Sequence, residues 1–172
     1  DTVALFLPEG GEDVKGAEIP DDISHIVDRA NLGFFQGKSG ECAFIPIAGR
    51  PALIIAGLGK PAEITRETLR NSAALVTGTA RKMKIKELDV VLPRLKGLEE
   101  KPVLCALAEG MYLANYAFDR YKTRKDETDA PVQSVSFHSV DTAGAARLLM
   151  EVSIICSNSL LCRDLINETS ER

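Results

Sequence analysis

At 172 residues, 45% hydrophobic and 27% charged, the chain has the composition of one globular domain that buries roughly 70% of its unfolded surface, which excludes disordered and fibrous classes. A net charge of −4 works against a general affinity for nucleic acid or anionic lipid. No unbroken run approaches the ~18 apolar residues that span a bilayer, and the first residues lack the basic start of a secretory signal, so a cytoplasmic location is expected.

Residues 2–7 are an apolar run closed by Pro8, Gly10 and Gly11, which predicts a buried strand. Asp21 and Asp22 precede Ile23, Ile26, Val27 and Ala30 at helical spacing, predicting a first helix that stops near Gly33. Residues 34–40 read as a loop, 41–47 as a second strand, and Gly49-Arg50 as the tight connection of an antiparallel hairpin. The chain is organised around the stretch that follows, from Pro51 to Lys60. Leu53, Ile54, Ile55 and Ala56 are continuously apolar, which suits a central strand covered on both faces. Gly57 and Gly59 are expected to end that strand and turn the chain toward a helix.

Thr65 is placed to cap a helix in which Leu69, Ala73, Val76, Ala80 and Met83 recur at steps of 4, 3, 4 and 3. Gly78 inside it costs about 1 kcal/mol relative to alanine, which points to close packing on the sheet. Arg81, Lys82, Lys84 and Lys86 form a basic cluster, read as a solvated helix end that complements the helix dipole. Residues 87–92 predict a strand ended by Pro93. Pro102 then starts a helix with a stripe of Val103, Leu107, Met111, Ala114 and Phe118, ending near Tyr121-Lys122. Residues 123–131 are breaker-rich and read as a loop, and 132–140 alternate as a half-buried strand. Asp141 caps a last helix with Ala145, Leu148, Val152 and Ile155 spaced 3, 4 and 3, running to about Ile166. That is long against a mean of about 11 residues, so its C-terminal half is expected to lead out of the domain. The alternation of elements predicts an α/β fold, a three-layer α/β/α domain with a mixed central sheet.

Chemistry-bearing motifs are few. Gly57-Leu58-Gly59-Lys60 lies where many α/β proteins cradle phosphate, but it lacks the third glycine of a dinucleotide fingerprint and the Lys-Ser/Thr of a P-loop, so a structural turn is favoured. His25 and His138 have neither HExxH nor zinc-finger spacing. Glu127-Thr128-Asp129 reads as a solvated charge run. Ser134, Ser136 and Ser139 flank His138 without a Gly-x-Ser-x-Gly elbow to expose a nucleophile. Cys42, Cys105, Cys156 and Cys162 lie inside apolar segments with no CxxC pair, the pattern of buried thiols in a reducing compartment. From the residues alone the function stays open.

Three stretches together carry a resemblance. Ala56-Gly57-Leu58-Gly59-Lys60, followed by Thr65-Arg66-Glu67-Thr68-Leu69-Arg70, resembles the "GLGK…T…LR" segment of the leucine aminopeptidase (cytosol aminopeptidase) family. The stretch from Glu109 to Lys122 is similar to that family's "EG…L..Y.FD.YK" helix, and Arg163-Asp164-Leu165-Ile166-Asn167-Glu168 is similar to the "RDLxNE" segment by which the family enters its catalytic domain. Order and spacing agree over nearly the whole chain. The resemblance implies a non-catalytic amino-terminal domain with a macro-domain-like fold over residues 1–160, and a connecting segment over 161–172 leading to a catalytic domain. It also implies a parent enzyme that removes N-terminal residues from peptides with two divalent metal ions, manganese or zinc, in a homohexamer of two trimers, and a domain that packs beside the catalytic domain and contributes to subunit contacts. The family's metal ligands are a lysine and carboxylates of the catalytic domain, including an "NTDAEGRL" signature. Thr128-Asp129-Ala130 copies three letters of it, but Pro131 stands where the glutamate belongs. No catalytic, cofactor-binding or metal residue is therefore assigned to this chain. Two rivals remain: a macro-type module holding ADP-ribose or another nucleotide at Gly57 to Lys60, and a DNA-binding regulatory domain, which the acidic balance opposes.

Overall fold

A computed structural model of the chain describes residues 2–10, 34–47, 52–118, 121, 130–139 and 141–168. Among them, β1 (Thr2–Pro8), β2 (Cys42–Ile45), β3 (Leu53–Gly59), β4 (Glu87–Val91) and β5 (Ser134–His138) form one sheet in the order β2-β3-β1-β4-β5. Three helices, α1 (Arg66–Lys82), α2 (Glu100–Ala114) and α3 (Thr142–Asn167), follow β3, β4 and β5. β1 pairs in parallel with β3 and β4, β4 in parallel with β5, and β2 antiparallel with β3. Parallel strands require crossovers, and α1 carries the chain from β3 to β4 and α2 from β4 to β5. The α/β architecture and the mixed sheet are those expected. The helix expected before Gly33, the Gly49-Arg50 connection and the 123–129 loop lie outside the described residues.

As expected, β3 is an interior strand, paired with β2 on one side and β1 on the other, and β1 and β3 are buried along all seven residues. β1 is the middle strand of the five. Of the two glycines, Gly57 lies inside β3 and Gly59 is its last residue, after which a single 3-10 turn over Pro61–Glu63 leads to the next helix.

Alternation sorts the strand side chains into two faces. Ala4, Phe6, Ile54, Ala56, Leu58 and Val90 meet Leu69, Ala73 and Val76 of α1 and Val103, Leu104 and Leu107 of α2 in the main core. On the other face Val3, Leu5, Leu7, Leu53, Ile55 and Val91 form a second buried cluster, with Phe35, Ile45 and Ile47 packed on it.

α1 begins at a reciprocal cap. The Thr68 amide donates to Thr65 Oγ1 at 3.2 Å and the Thr65 amide donates to Thr68 Oγ1 at 3.3 Å, satisfying two otherwise orphaned donors. Met83 does not belong to the buried stripe: it is the C-cap and is half exposed. Arg81 is not part of a solvated basic end, because it is buried and its Nη1 donates to the carbonyls of Ala114 at 2.9 Å and Tyr116 at 3.2 Å. Lys82, Lys84 and Lys86 are exposed as expected.

α2 stops at Ala114 rather than near Tyr121-Lys122. Two side chains hold the end. Arg81 takes the last carbonyls, and Asn115 exchanges two hydrogen bonds with the Val132 backbone, donating to its carbonyl at 2.8 Å and accepting from its amide at 2.9 Å. A side chain bonded to a distant strand approach competes with helix continuation. Phe118, expected on the stripe, therefore lies beyond the helix.

α3 runs 26 residues with Asp141 as its cap, Asp141 Oδ1 accepting from the Gly144 amide at 3.0 Å. Ala145, Val152 and Cys156 are buried, whereas Ile155 is 60% exposed and Leu148 only part-buried. Contrary to the reading of the sequence, an 18-residue window of α3 has a mean hydropathy of 1.4, enough by length and composition alone to cross a membrane. Leucine, isoleucine and valine raise the average there, while Arg147, Glu151 and the serines keep the run from being unbroken.

Close helix packing falls at a different glycine from the one expected. A Cβ on Gly78 would meet nothing within 4 Å, so its cost is not offset by contact. A Cβ on Gly110 of α2 would lie 2.3 Å from the Arg70 carbonyl oxygen and 2.9 Å from Ala73 Cβ of α1. Gly78→Ala is expected to stabilise the fold by about 1 kcal/mol, and Gly110→Ala to destabilise it by about 1–3 kcal/mol through overpacking. Urea denaturation of both variants checks this, and a stabilised Gly110→Ala protein would contradict it.

Candidate functional site

The Gly57 to Lys60 stretch, where many α/β proteins cradle phosphate, is occupied by the protein itself. Loop 36–41 folds over the end of β3, held by the Glu41 carboxylate, which accepts from the amides of Gln36 at 3.0 Å and Lys38 at 3.1 Å. The Gly57 amide donates to the Glu41 carbonyl and the Gly59 amide to the Gly37 carbonyl, each at 2.8 Å. A Cβ on Gly57 would lie 2.1 Å from the Lys38 carbonyl oxygen, and Gly59 has a φ of +80°. Both glycines are thus required for close approach and positive φ, and their N–H groups are already taken, whereas a phosphate cradle needs them free.

The remaining motif residues do not converge. His138, Ser134 and Ser136 are exposed on one side of β5, while the Ser139 hydroxyl donates to Glu100. His25 and Glu127 to Asp129 lie outside the described residues. Among the described residues no three His, Cys, Asp or Glu side chains gather as a metal site, so the residues at hand do not fit a two-metal centre. All four cysteines are free thiols, but only Cys156 is fully buried; Cys42 and Cys105 are part-buried and Cys162 is exposed, against the expectation of four buried thiols. The apolar stretch around Cys162 misled because that part of α3 carries its apolar side chains outward. Burial pushes the Cys42, Cys105 and Cys156 thiols up, which keeps them protonated and poorly nucleophilic.

The three stretches that carried the family resemblance interlock. Arg70 Nε donates to Glu109 Oε2 at 2.5 Å and its Nη1 to Glu67 Oε2 at 3.2 Å, so the start of α1 grips the middle of α2 beside Gly110. The hydrogen bond from Arg70 to Glu109 holds the guanidinium above its usual range. Tyrosines of α2 and of the segment after it then grip the far half of α3. The Tyr112 hydroxyl and Ser157 Oγ are 2.9 Å apart, the Tyr116 hydroxyl donates to Asp164 Oδ1 at 2.5 Å, and the Tyr121 hydroxyl to Glu168 Oε2 at 2.6 Å. The Arg163 guanidinium sits 4.8 Å from the centre of the Tyr116 ring, a cation–π contact. No feature of the sequence announced these partners, because Asp164 and Glu168 are surface-type residues 48 and 47 positions from theirs.

Two open clefts accompany this arrangement. One, of about 540 Å³, lies at the C-terminal ends of β4 and β5 between Arg94, Glu100 and His138. The other, of about 490 Å³, lies between α2, β5 and α3, lined by Met111, Tyr112, Tyr116 and Val135.

Comparison with known proteins places this geometry. The profile of the N-terminal domain of the cytosol aminopeptidase family matches residues 3–125. A probable cytosol aminopeptidase of Microcystis aeruginosa is 33% identical over 172 residues, covering 97% of this chain and 34% of that protein. One of Aquifex aeolicus is 32% identical over 171 residues, covering 97% and 33%. Among solved structures, a tomato leucine aminopeptidase mutant superposes with a TM-score of 0.80 at 17% identity, covering 99% of this chain and 36% of that one. A bottromycin maturation enzyme in complex with manganese gives 0.65 at 23% identity, covering 98% and 32%. The chain thus spans about a third of the length of the curated relatives it matches.

The tyrosine contacts have a spectroscopic consequence. The hydrogen bond to Asp164 raises the Tyr116 phenol above the ordinary value, because ionised phenol could not donate it. A raised folded-state pKa means that this contribution to stability is complete below the unfolded value of about 10 and is lost as pH rises through the folded value. Asp164→Asn should therefore move the Tyr116 ionisation, followed by ultraviolet titration, to lower pH. Titration curves unchanged by Asp164→Asn would contradict the contact.

Proposed function

Because this chain belongs to the cytosol aminopeptidase family and matches its N-terminal domain, we propose that it is the non-catalytic front domain of a metal-dependent leucyl aminopeptidase that removes N-terminal residues from peptides in the cytosol. In this reading residues 1–160 are the macro-like domain and 161–172 the segment leading to a catalytic domain. α3 runs unbroken through that boundary, so the two parts would be joined by a stiff rod rather than a flexible linker. The chemistry would reside in the catalytic part, where two divalent ions, manganese or zinc, would polarise the scissile carbonyl and activate water. The role of this chain is architectural, presenting α3 in a fixed direction to its own catalytic domain and contributing to the contacts of a homohexamer.

The observation that carries the reading is that the polar side chains of the three family-like stretches are engaged with one another. Arg70 is used by Glu109, and Tyr116 and Tyr121 by Asp164 and Glu168. Residues engaged in this way hold elements together and are not available to a substrate. The nucleotide-binding alternative is disfavoured by the occupied amides of Gly57 and Gly59, and the DNA-binding alternative by the net charge of −4.

The 172-residue chain is expected to hydrolyse no aminoacyl substrate with added manganese, whereas the full-length protein does so and loses the activity to a chelator. Chromogenic leucyl substrates measure this. Metal-dependent turnover by the isolated chain would overturn the assignment.

A further inference from the structure

Two turns meet at the carboxyl ends of the parallel strands β4 and β5, the end of an open α/β sheet where ligands ordinarily bind. One leads from β4 into α2 and is tightened by the Leu98 amide, which donates to the Leu95 carbonyl at 3.1 Å, and by Gly97 at a φ of +85°. The other leads from β5 into α3. The Ser139 hydroxyl of the second donates to the Glu100 carboxylate after the first and ties the two together. They enclose the cleft of about 540 Å³, a size typical of small-molecule sites. Its lining is apolar at Leu92, Leu95, Leu98 and Phe137, the last three only part-buried. Arg94, His138 and the Thr142 hydroxyl add donors suited to a carboxylate, beside the start of α3, where the helix dipole also favours negative charge. Glu100 supplies the opposite charge. It accepts from Ser139 through Oε1, which leaves Oε2 to accept from an ammonium.

We propose that this cleft binds a free α-amino acid with an apolar side chain. Charges of both signs on one apolar lining select that class. Glu100 repels a phosphate or nucleotide and Arg94 repels a simple cation, whereas a zwitterion uses both groups. The ammonium goes to Glu100, the carboxylate to Arg94 and His138, and the side chain to Leu95, Leu98 and Phe137. The cleft between α2, β5 and α3 offers no such pairing, because Tyr112, Asn115 and Tyr116 there are already bonded to Ser157, Val132 and Asp164. The inference goes beyond the front-domain reading and does not depend on it, since every group it uses belongs to β4, β5 or the turns that follow them. Under that reading the ligand would be the enzyme's own class of product.

A photoreactive leucine carrying a diazirine on its side chain tests the proposal in the full-length protein, with the label mapped by mass spectrometry. Label is expected between Leu92 and Leu98 or between Phe137 and Ser139, and excess leucine should suppress it. Glycine, which lacks the side chain, and isocaproate, which lacks the ammonium, should not. Arg94→Gln and Glu100→Gln should each weaken labelling below saturation about tenfold, the loss expected for a hydrogen bond to a charged group. Both residues are exposed, so the variants keep the fold, which far-ultraviolet dichroism checks. Absence of label from these residues, or label that excess leucine leaves unchanged, would overturn the proposal. So would suppression by isocaproate with Glu100→Gln without effect, which marks a site for carboxylates alone, or suppression by inorganic phosphate or ADP-ribose, which marks an anion site. The position of the label is read rather than hydrolysis, so the outcome is independent of the aminopeptidase assignment.

Discussion

The structure depends on one close approach, the crossing of α2 over α1 at Gly110, where any side chain would strike the Arg70 backbone. Once the two backbones touch there, Arg70 reaches Glu109 and, at the other end of α1, Arg81 reaches the last carbonyl of α2, that of Ala114. These two arginines fix the rotation and the length of α2. The position of Tyr112, Tyr116 and Tyr121 follows from that, and so does the direction of α3. The fold thereby converts a local absence of volume into the orientation of a helix end far from it.

The same economy appears at the other pair of glycines. In many α/β proteins a glycine turn after a buried strand leaves amides free for a ligand. Here loop 36–41 occupies that place and takes both amides, with Glu41 folding the loop. What resembles a binding motif locally is used to close one end of the sheet. Open clefts lie instead past β4 and β5 and between α2, β5 and α3.

Much of the fold was legible because it rests on periodicity and short-range chemistry. The strand at residues 2–7, the hairpin partnership of β2 with β3, the Thr65 and Asp141 caps and the long last helix each follow from neighbouring residues. What sequence could not show is long-range. Gly78 and Gly110 look alike on paper, and only the crossing of two helices decides which is needed. Arg81 reads as a surface charge until α2 ends above it. The end of α2 itself is set by Asn115 and Val132, 17 positions apart. Cys162 and Ile155 were misjudged because α3 carries apolar residues on two sides, so the spacing of one stripe did not identify the buried one. As for the site, nothing in the residues revealed that the resembling stretches are partners in space.

The central claim is that the far half of α3 is held as a rigid arm by side chains of α2 and the segment after it. Amide hydrogen exchange along residues 157–167 tests it most directly. The account predicts protection well above free-peptide rates through Asp164, falling off only in the last turn. Exchange at free-peptide rates for every amide past Cys156 would show an end that is not held, and the orientation that the rest of the interpretation requires would be lost.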